Sequence, residues 1–293
     1  MKIIQSFARY DEVTPYLKMR KGKKDYYYLN FYSMLLSYIT LQQQYGSVTM
    51  FCNQEAYDSI IKYIPYDKVE IVENQNDFMM WSKYILDIMK LIGEDFIHVD
   101  QDVFIFDDFY RPFIEGKCDV LVQDVISKGK NDTKQFVFEN LDYLKDTKIL
   151  TKTYDGQGFS CGSVGLTKEV QEYYFAGVDV LYDGMKKFGI EEIAQAAMIL
   201  EETLLYLITY ENDFSYHDII PQKDVDKLGL LYAGDKIGYA HLWAKNKFKK
   251  VHIQDVRNKL LNDFSDFQDN LLKFEREVMF DKKIYEYIVK DKS

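Results

Sequence analysis

The sequence predicts an α/β fold in which a mixed, mainly parallel sheet is flanked by helices. Short apolar runs alternate along the chain with longer segments whose apolar residues recur every three or four positions, as on one face of a helix. Strands that alternate with helices in this way are typical of parallel sheets. The length of 293 residues is enough for one large α/β unit.

The predicted elements follow this alternation from the N-terminus onward. Strands are predicted at residues 2–7, 47–52, 69–72, 96–99, 119–125, 159–166 and 237–243. Helices are predicted at residues 27–44, 78–92, 167–188, 190–210 and 254–290. Loops are expected at 128–135 and 213–235. Gly93 is expected to cap the C-terminal end of the helix predicted at 78–92. Because no repeat or linker marks a boundary, we predict one domain over residues 1–250 and a helical tail over 251–293, packed on it or extending from it.

Composition and charge exclude several classes of protein. Lys and Arg number 37 against 47 Asp and Glu, and a net charge of −10 makes nucleic acid a poor partner. Three cysteines without CxxC spacing indicate neither a disulfide framework nor a zinc site, which favours a reducing cytoplasm. The first apolar stretch is too short for a signal peptide. Polar residues interrupt the run that begins at Tyr26 before about 20 apolar residues accumulate, so no transmembrane segment is expected.

The segment FIHVDQDVFIF places two aspartates directly after an apolar strand. In an extended chain residues i and i+2 point to the same side, so we expect Asp100 and Asp102 to converge at the carboxyl edge of the sheet. Two such carboxylates repel each other, and a divalent cation that also binds diphosphate oxygens relieves the repulsion. The alternative is a solvated turn, since aspartate is common in turns. Asp107 and Asp108 are more simply read as the start of the next loop.

The order and spacing of the motifs over roughly residues 1–250 resemble the GT-A glycosyltransferases, particularly the family 8-like enzymes and their uncharacterised bacterial relatives. These enzymes have a Rossmann-like fold and carry a D-x-D motif after an apolar strand, as in IHVDQDVFI. The resemblance implies that Asp100 contacts the metal and the nucleotide ribose and that Asp102 binds the metal. The implied ion is Mn²⁺ or Mg²⁺.

A third metal ligand is implied by the segment HLWAKNK near the end of the predicted domain. Family 8-like enzymes carry a metal-binding histidine on their last strand, followed by a lysine that contacts the diphosphate. By this resemblance His241 binds the metal and Lys245 or Lys247 meets the diphosphate. The sequence departs from the family because it lacks the glycine between the histidine and the lysine and the Pro-Trp after it. A buried structural histidine is the alternative for His241.

The same resemblance assigns roles to residues elsewhere in the chain. Lys83 would reach the donor phosphates or sugar, with Trp81 beside it, and the alternative is a surface lysine on an amphipathic helix. Gly162 lies in GFSCGSVGL, where a small-residue strand would line the sugar pocket, and tight strand packing is the alternative. The remaining expected contacts are Ser6, Phe7 and Ala8 with the nucleotide base, Gln123 and Asp124 with sugar hydroxyls, and Glu202 or Glu201 with the sugar.

The sequence therefore predicts a metal-dependent hexosyltransferase that moves a sugar from a nucleotide-diphosphate donor, preferably a UDP-sugar, to a glycan or lipid-linked acceptor. Retention at the anomeric carbon is implied only by the resemblance. Basic runs at 20–24 and 245–250 are compatible with peripheral contact at the inner membrane face. One alternative is a sugar-phosphate nucleotidyltransferase, which would need a glycine-rich basic loop that SFARYDEVTP lacks. The other is a non-catalytic protein that binds a nucleotide-sugar or carbohydrate.

Overall fold

The structure is a computed structural model of the chain. It describes residues 1–8, 24–73, 81–127, 156–187, 197–220, 238–242 and 248–289. The chain divides into two compact units. The first comprises 1–2, 75–99 and 109–227, and the second comprises 3–74, 100–108 and 228–293. The boundary predicted at residue 250 stays a prediction.

The described strands are short. They are β1 (Lys2–Phe7), β2 (Val48–Cys52), β3 (Lys68–Ile71), β4 (Phe96–Val99), β5 (Val103–Ile105), β6 (Val120–Ser127), β7 (Gln157–Leu166), β8 (Tyr216–Asp218) and β9 (Tyr239–His241).

The helices are more varied in type than the sequence predicts. The α-helices are α1 (Asn30–Tyr45), α2 (Gln54–Ser59), α3 (Trp81–Ile92), α4 (Arg111–Ile114), α5 (Lys168–Lys187), α6 (Leu204–Glu211), α7 (Lys250–Asp263), α8 (Gln268–Phe274) and α9 (Lys283–Val289). The described residues also contain three 3₁₀ segments, Lys24–Leu29, Ile61–Tyr63 and Ser265–Phe267, and two π-helical segments, Ile199–Thr203 and Glu275–Met279.

The second unit contains the parallel strands β3, β2 and β1, in that order, with Ile3 opposite Val48 and Thr49 opposite Lys68. Helix α1 forms much of its core, since eleven consecutive residues from Phe31 to Leu41 are buried. A separate antiparallel ribbon pairs β5 with β9. Helices α7 and α8 belong to the same unit, and the Phe274 ring stacks on Phe31 with 3.8 Å between centroids.

The first unit contains β4, β7, β6 and β8 in that order, with antiparallel pairs β4–β7 and β7–β6 and a parallel pair β6–β8. Close approach of β6 and β7 requires a glycine, because a Cβ on Gly165 would lie 2.9 Å from Leu121 Cβ. At the end of α3, Gly93 adopts the left-handed conformation (φ +65°) expected of a helix cap.

The predicted fold class, a mixed and mainly parallel α/β sheet flanked by helices, is confirmed. The apolar run after the two aspartates forms β5. Sequence periodicity did not reveal β8, which is only three residues long and lies in the loop predicted at 213–235. The loop predicted at 128–135 lies outside the described residues. Among the described helices, none is long and apolar enough to cross a membrane.

Candidate metal centre

Asp100 and Asp102 lie in a tight turn between β4 and β5. The Val103 amide donates to the Asp100 carbonyl over 3.1 Å, which closes the turn. The expectation of an extended segment is therefore wrong at this point. The two carboxylates converge because the chain reverses, and not because their side chains alternate along a strand.

His241 is brought to this turn by strand pairing. It is the last residue of β9 and lies opposite Val103 of β5. The Leu242 amide donates to the Asp102 carbonyl over 2.9 Å and extends the ribbon by one hydrogen bond. Residues from distant parts of the sequence are thus held in register by backbone bonds within one unit.

The three side chains form a group that could hold a metal ion. His241 Nε2 lies 3.4 Å from Asp102 Oδ1 and 3.8 Å from Asp100 Oδ2, and all three ligand atoms lie within 4.8 Å of one another. Two ligands that bind one Mg²⁺-like ion at about 2.1 Å and at right angles are roughly 3 Å apart. Two carboxylates and a neutral imidazole are also a normal donor set for Mn²⁺. The spacing and the chemistry of this set fit a divalent cation.

Burial makes this group different from an exposed acidic turn. The side chain of Asp102 is 5% exposed and that of His241 is 11% exposed, whereas Asp100 is 31% exposed. Two carboxylates held this close in a poorly hydrated place need positive charge nearby. A divalent cation held by Asp100, Asp102 and His241 would supply it.

Two polar residues that contact this turn were missed by the sequence interpretation. Gln5 and Ser37 are buried and donate to the Asp100 carbonyl. Two sequence features could have identified them: a glutamine within the predicted strand KIIQSF and a serine on the buried face of α1. Buried polar side chains in such places require specific partners.

Phe7 and Ala8, predicted to contact the nucleotide base, belong to the same unit as the candidate metal-binding group. Both are half-buried. The Phe7 ring stacks on Tyr27 with 5.5 Å between centroids and an interplanar angle of 28°. Ser6, the other residue predicted there, is fully buried.

Lys83, predicted to reach the donor, lies on α3 in the first unit. It is buried, so the alternative of a surface lysine is wrong. Its ammonium group pairs with Asp87 one turn later and lies 4.9 Å from the centre of the Tyr182 ring. Its charge is already balanced within its own unit, and its role at a donor stays a prediction. Trp81 begins the same helix.

Gln123 and Asp124 occupy a bulge in β6, since the register with β7 shifts between Val122 and Asp124. A bulge re-aims side chains and is frequent beside functional sites. The Gln123 amide donates to the buried Asp124 carboxylate over 3.1 Å. The placement of these residues at the end of an apolar strand is wrong, because β6 continues past them to Ser127 and keeps its pairing with β7.

The strand β7 and the π-helical segment are in direct contact. Cys161 Sγ lies 3.4 Å from the Glu201 carbonyl, and the next residue, Gly162, is buried. Glu201 and Glu202 are both half-buried. A π-helical turn often marks a functional site. The roles of Gly162 and Glu202 stay predictions.

The two lysines predicted to meet the diphosphate, Lys245 and Lys247, lie outside the described residues. Residue 243, the last residue of the strand predicted at 237–243, also lies outside them. Their roles stay predictions.

Comparison with known proteins identifies the family. A family model described as "Family of unknown function (DUF6734)" matches residues 1–274. The chain belongs to the DUF6734 family. The matched region contains Asp100, Asp102 and His241, the candidate metal-binding group of this DUF6734 member, and ends at the last residue of α8. No curated protein matches the chain.

Several solved structures are similar to this DUF6734 chain at low identity. The inositol-1-phosphate CTP transferase from T. maritima is 10% identical, with 89% of this chain and 96% of that chain covered and a TM-score of 0.45. The glycosyltransferase GlyE of Streptococcus pneumoniae TIGR4 is 11% identical, with 94% and 64% covered and a TM-score of 0.44. Mouse xyloside xylosyltransferase 1 is 8% identical, with 82% and 96% covered and a TM-score of 0.41. Similarity at this level does not transfer an activity.

Proposed function

We propose that this DUF6734 protein is a metal-dependent glycosyltransferase of the GT-A type that uses a nucleotide-diphosphate sugar. The observation that supports the proposal is the convergence of Asp100, Asp102 and His241, with ligand atoms within 4.8 Å of one another. The sequence motif alone could be a solvated turn. A buried histidine beside both carboxylates favours a cation site.

Asp100, Asp102 and His241 would hold Mn²⁺ or Mg²⁺. When bound, such an ion supplies Lewis-acid stabilisation of the negative charge that develops on a departing diphosphate. Asp100, the most exposed of the three, is suited to face both the ion and the ribose of the donor. The buried Asp102 is suited to contact the ion but not the ribose.

The roles proposed for the remaining residues rest on the resemblance to the family 8-like glycosyltransferases. Phe7 and Ala8 would contact the nucleotide base, Lys245 or Lys247 would stabilise the diphosphate charge, and Lys83 would contact donor phosphates. Gln123, Glu202 and the backbone of Gly162 would contact the sugars. We propose a UDP-sugar donor, a glycan or lipid-linked acceptor and retention at the anomeric carbon, with the protein acting in the cytoplasm or at the inner membrane face.

A panel assay would test this function. Purified protein is incubated with UDP-, GDP- and TDP-sugars with Mn²⁺, with Mg²⁺ or with a chelator, and release of the nucleotide diphosphate is measured. Parallel reactions contain nucleoside triphosphates and sugar 1-phosphates, and release of pyrophosphate is measured there. Metal-dependent release of nucleotide diphosphate is expected, whereas pyrophosphate release would indicate a nucleotidyltransferase.

Two aspartate variants separate the site from general charge effects. Asp102→Asn should abolish turnover because the buried carboxylate is lost. Asp107→Asn, an exposed neighbour outside the group, should retain it, since the amide oxygen can still accept from the Asp108 amide. Donor binding without turnover in the wild type would indicate a non-catalytic binding protein. Equal behaviour of wild type and Asp102→Asn would contradict the proposed role of the group.

A further inference from the structure

Three polar side chains lie buried beneath the acidic turn in the second unit. Gln5 of β1 and Ser37 of α1 have no exposed surface, and Tyr66, just before β3, is 9% exposed. Burial of a polar group without a hydrogen bond is unfavourable, so each of these side chains needs a specific partner. Their partners form one chain of hydrogen bonds.

The chain of hydrogen bonds runs from Tyr66 to the Asp100 carbonyl. The Tyr66 hydroxyl donates to Gln5 Oε1 over 2.9 Å. Gln5 Nε2 then donates to Ser37 Oγ over 2.8 Å and to the Asp100 carbonyl over 3.3 Å. The Ser37 hydroxyl also donates to that carbonyl over 3.4 Å. With the Val103 amide at 3.1 Å, three donors meet on one backbone oxygen.

The direction of this chain is fixed at its Asp100 end. A backbone carbonyl oxygen can only accept, so the Gln5 amide must present its NH₂ group to Asp100. The Gln5 oxygen then faces Tyr66 and accepts from its hydroxyl. In the flipped orientation two carbonyl oxygens would face each other beneath the turn.

We propose that Gln5 is a positioning residue for the metal site: together with Ser37 it fixes the Asp100 carbonyl and hence the turn that presents Asp100 and Asp102 toward His241. The inference rests on the proposed function. Gln5 itself does not contact the ion. Its effect is to limit the orientations of the turn, and outer partners of this kind typically change metal affinity by about 10- to 100-fold.

A matched pair of buried variants tests the inference. Gln5→Leu fills a similar volume but cannot hold the Asp100 carbonyl. Tyr32→Phe is the control, because it removes a buried hydroxyl that donates to Glu275 over 3.1 Å in the same unit, away from the turn. Circular dichroism establishes a temperature at which all three proteins are folded, and Mn²⁺ affinity is then measured by electron paramagnetic resonance. Gln5→Leu should bind Mn²⁺ at least about 10-fold more weakly, while Tyr32→Phe should match the wild type.

A second readout does not depend on metal. Hydrogen exchange of the Val103 amide in the metal-free protein should be faster in Gln5→Leu and unchanged in Tyr32→Phe, because only the first variant frees the turn. Unchanged Val103 exchange in folded Gln5→Leu, with Mn²⁺ affinity within twofold of wild type, would overturn the inference. If the wild type binds no Mn²⁺, the proposed function fails, and the exchange result still decides whether Gln5 holds the turn.

Discussion

His241 Nε2 lies 3.4 Å from Oδ1 of Asp102, and both residues are buried. This relationship depends on the pairing of β5 with β9, which puts His241 opposite the residue that follows Asp102. The histidine and the acidic turn are therefore one structural feature. A change in either strand should affect both.

Removal of His241 should reduce stabilisation by metal. A ligand at 100 times its Kd stabilises the folded state by about 2.7 kcal/mol, so Mn²⁺ should raise the Tm of the wild type by several degrees. His241→Ala should lose most of this rise because one of three ligands is gone. Differential scanning fluorimetry with and without Mn²⁺ measures it. His217→Ala, a histidine in β8 of the other unit, should retain the rise. A full rise in His241→Ala would remove the histidine from the site.

Loss of Arg257 should strongly destabilise the protein. Arg257 Nε donates to Glu275 Oε1 over 2.6 Å and Nη2 donates to Oε2 over 3.0 Å, and Glu275 is 3% exposed. Arg257→Met leaves a buried carboxylate without its cation, which should cost roughly 3 to 5 kcal/mol of unfolding free energy in urea. Adding Glu275→Gln should recover much of this loss. A single-variant cost below about 1 kcal/mol would contradict the importance of the pair.

The C-terminal helices should be essential for the stability of the second unit. Phe274 is fully buried and stacks on Phe31, so Phe274→Ala should cost about 3 to 5 kcal/mol. Leu272→Ala on the same helix is the control, because Leu272 is 46% exposed and should lose little. Urea unfolding measures both variants. Similar small losses would show that α8 does not pack as observed.

Two glycine-to-alanine substitutions should differ in sign or size. At Gly165 a new Cβ would lie 2.9 Å from Leu121 Cβ and 3.2 Å from the Phe113 ring, so Gly165→Ala should cost about 1 to 3 kcal/mol. At Gly177, within α5, the nearest atom is the flexible end of Ile208 at 3.1 Å, and the gain in helix propensity of up to about 1 kcal/mol offsets the contact. Gly177→Ala should therefore be close to neutral. Thermal unfolding of both variants gives the comparison.

Acid should destabilise the protein partly through His98. Burial lowers the pKa of the His98 imidazole from 6.5 to about 3. Between pH 6.5 and 3 the unfolded chain therefore binds a proton that the folded chain does not, and stability falls as pH falls, by about 1.4 kcal/mol per unit. His98→Gln should remove this part of the slope. Urea unfolding of both proteins between pH 7 and 5 isolates the difference, and parallel curves would show that His98 does not contribute.

Most elements could be predicted from the sequence because local periodicity records which face of each element is buried. The strands that begin at Lys2, Val48 and Phe96 and the helix that ends at Ile92 lie close to their predicted positions. The turn at Asp100 was predicted as extended chain. The sequence order of two aspartates separated by one residue, between two apolar runs, is the same whether the backbone is extended or forms a turn. The short strand Tyr216–Asp218 was missed because it has too few residues to show a period.

The α/β class and the position of the acidic pair after an apolar strand could be predicted from local patterns in the chain, and a family resemblance added His241 as a third candidate ligand. The position of His241 opposite Val103 and the hydrogen bonds from Gln5 and Ser37 to the Asp100 carbonyl are visible only in the folded structure. Local patterns depend on neighbours a few positions away. Strand pairing and buried hydrogen bonds instead join residues that are distant in the chain, and they are fixed only when the whole unit folds.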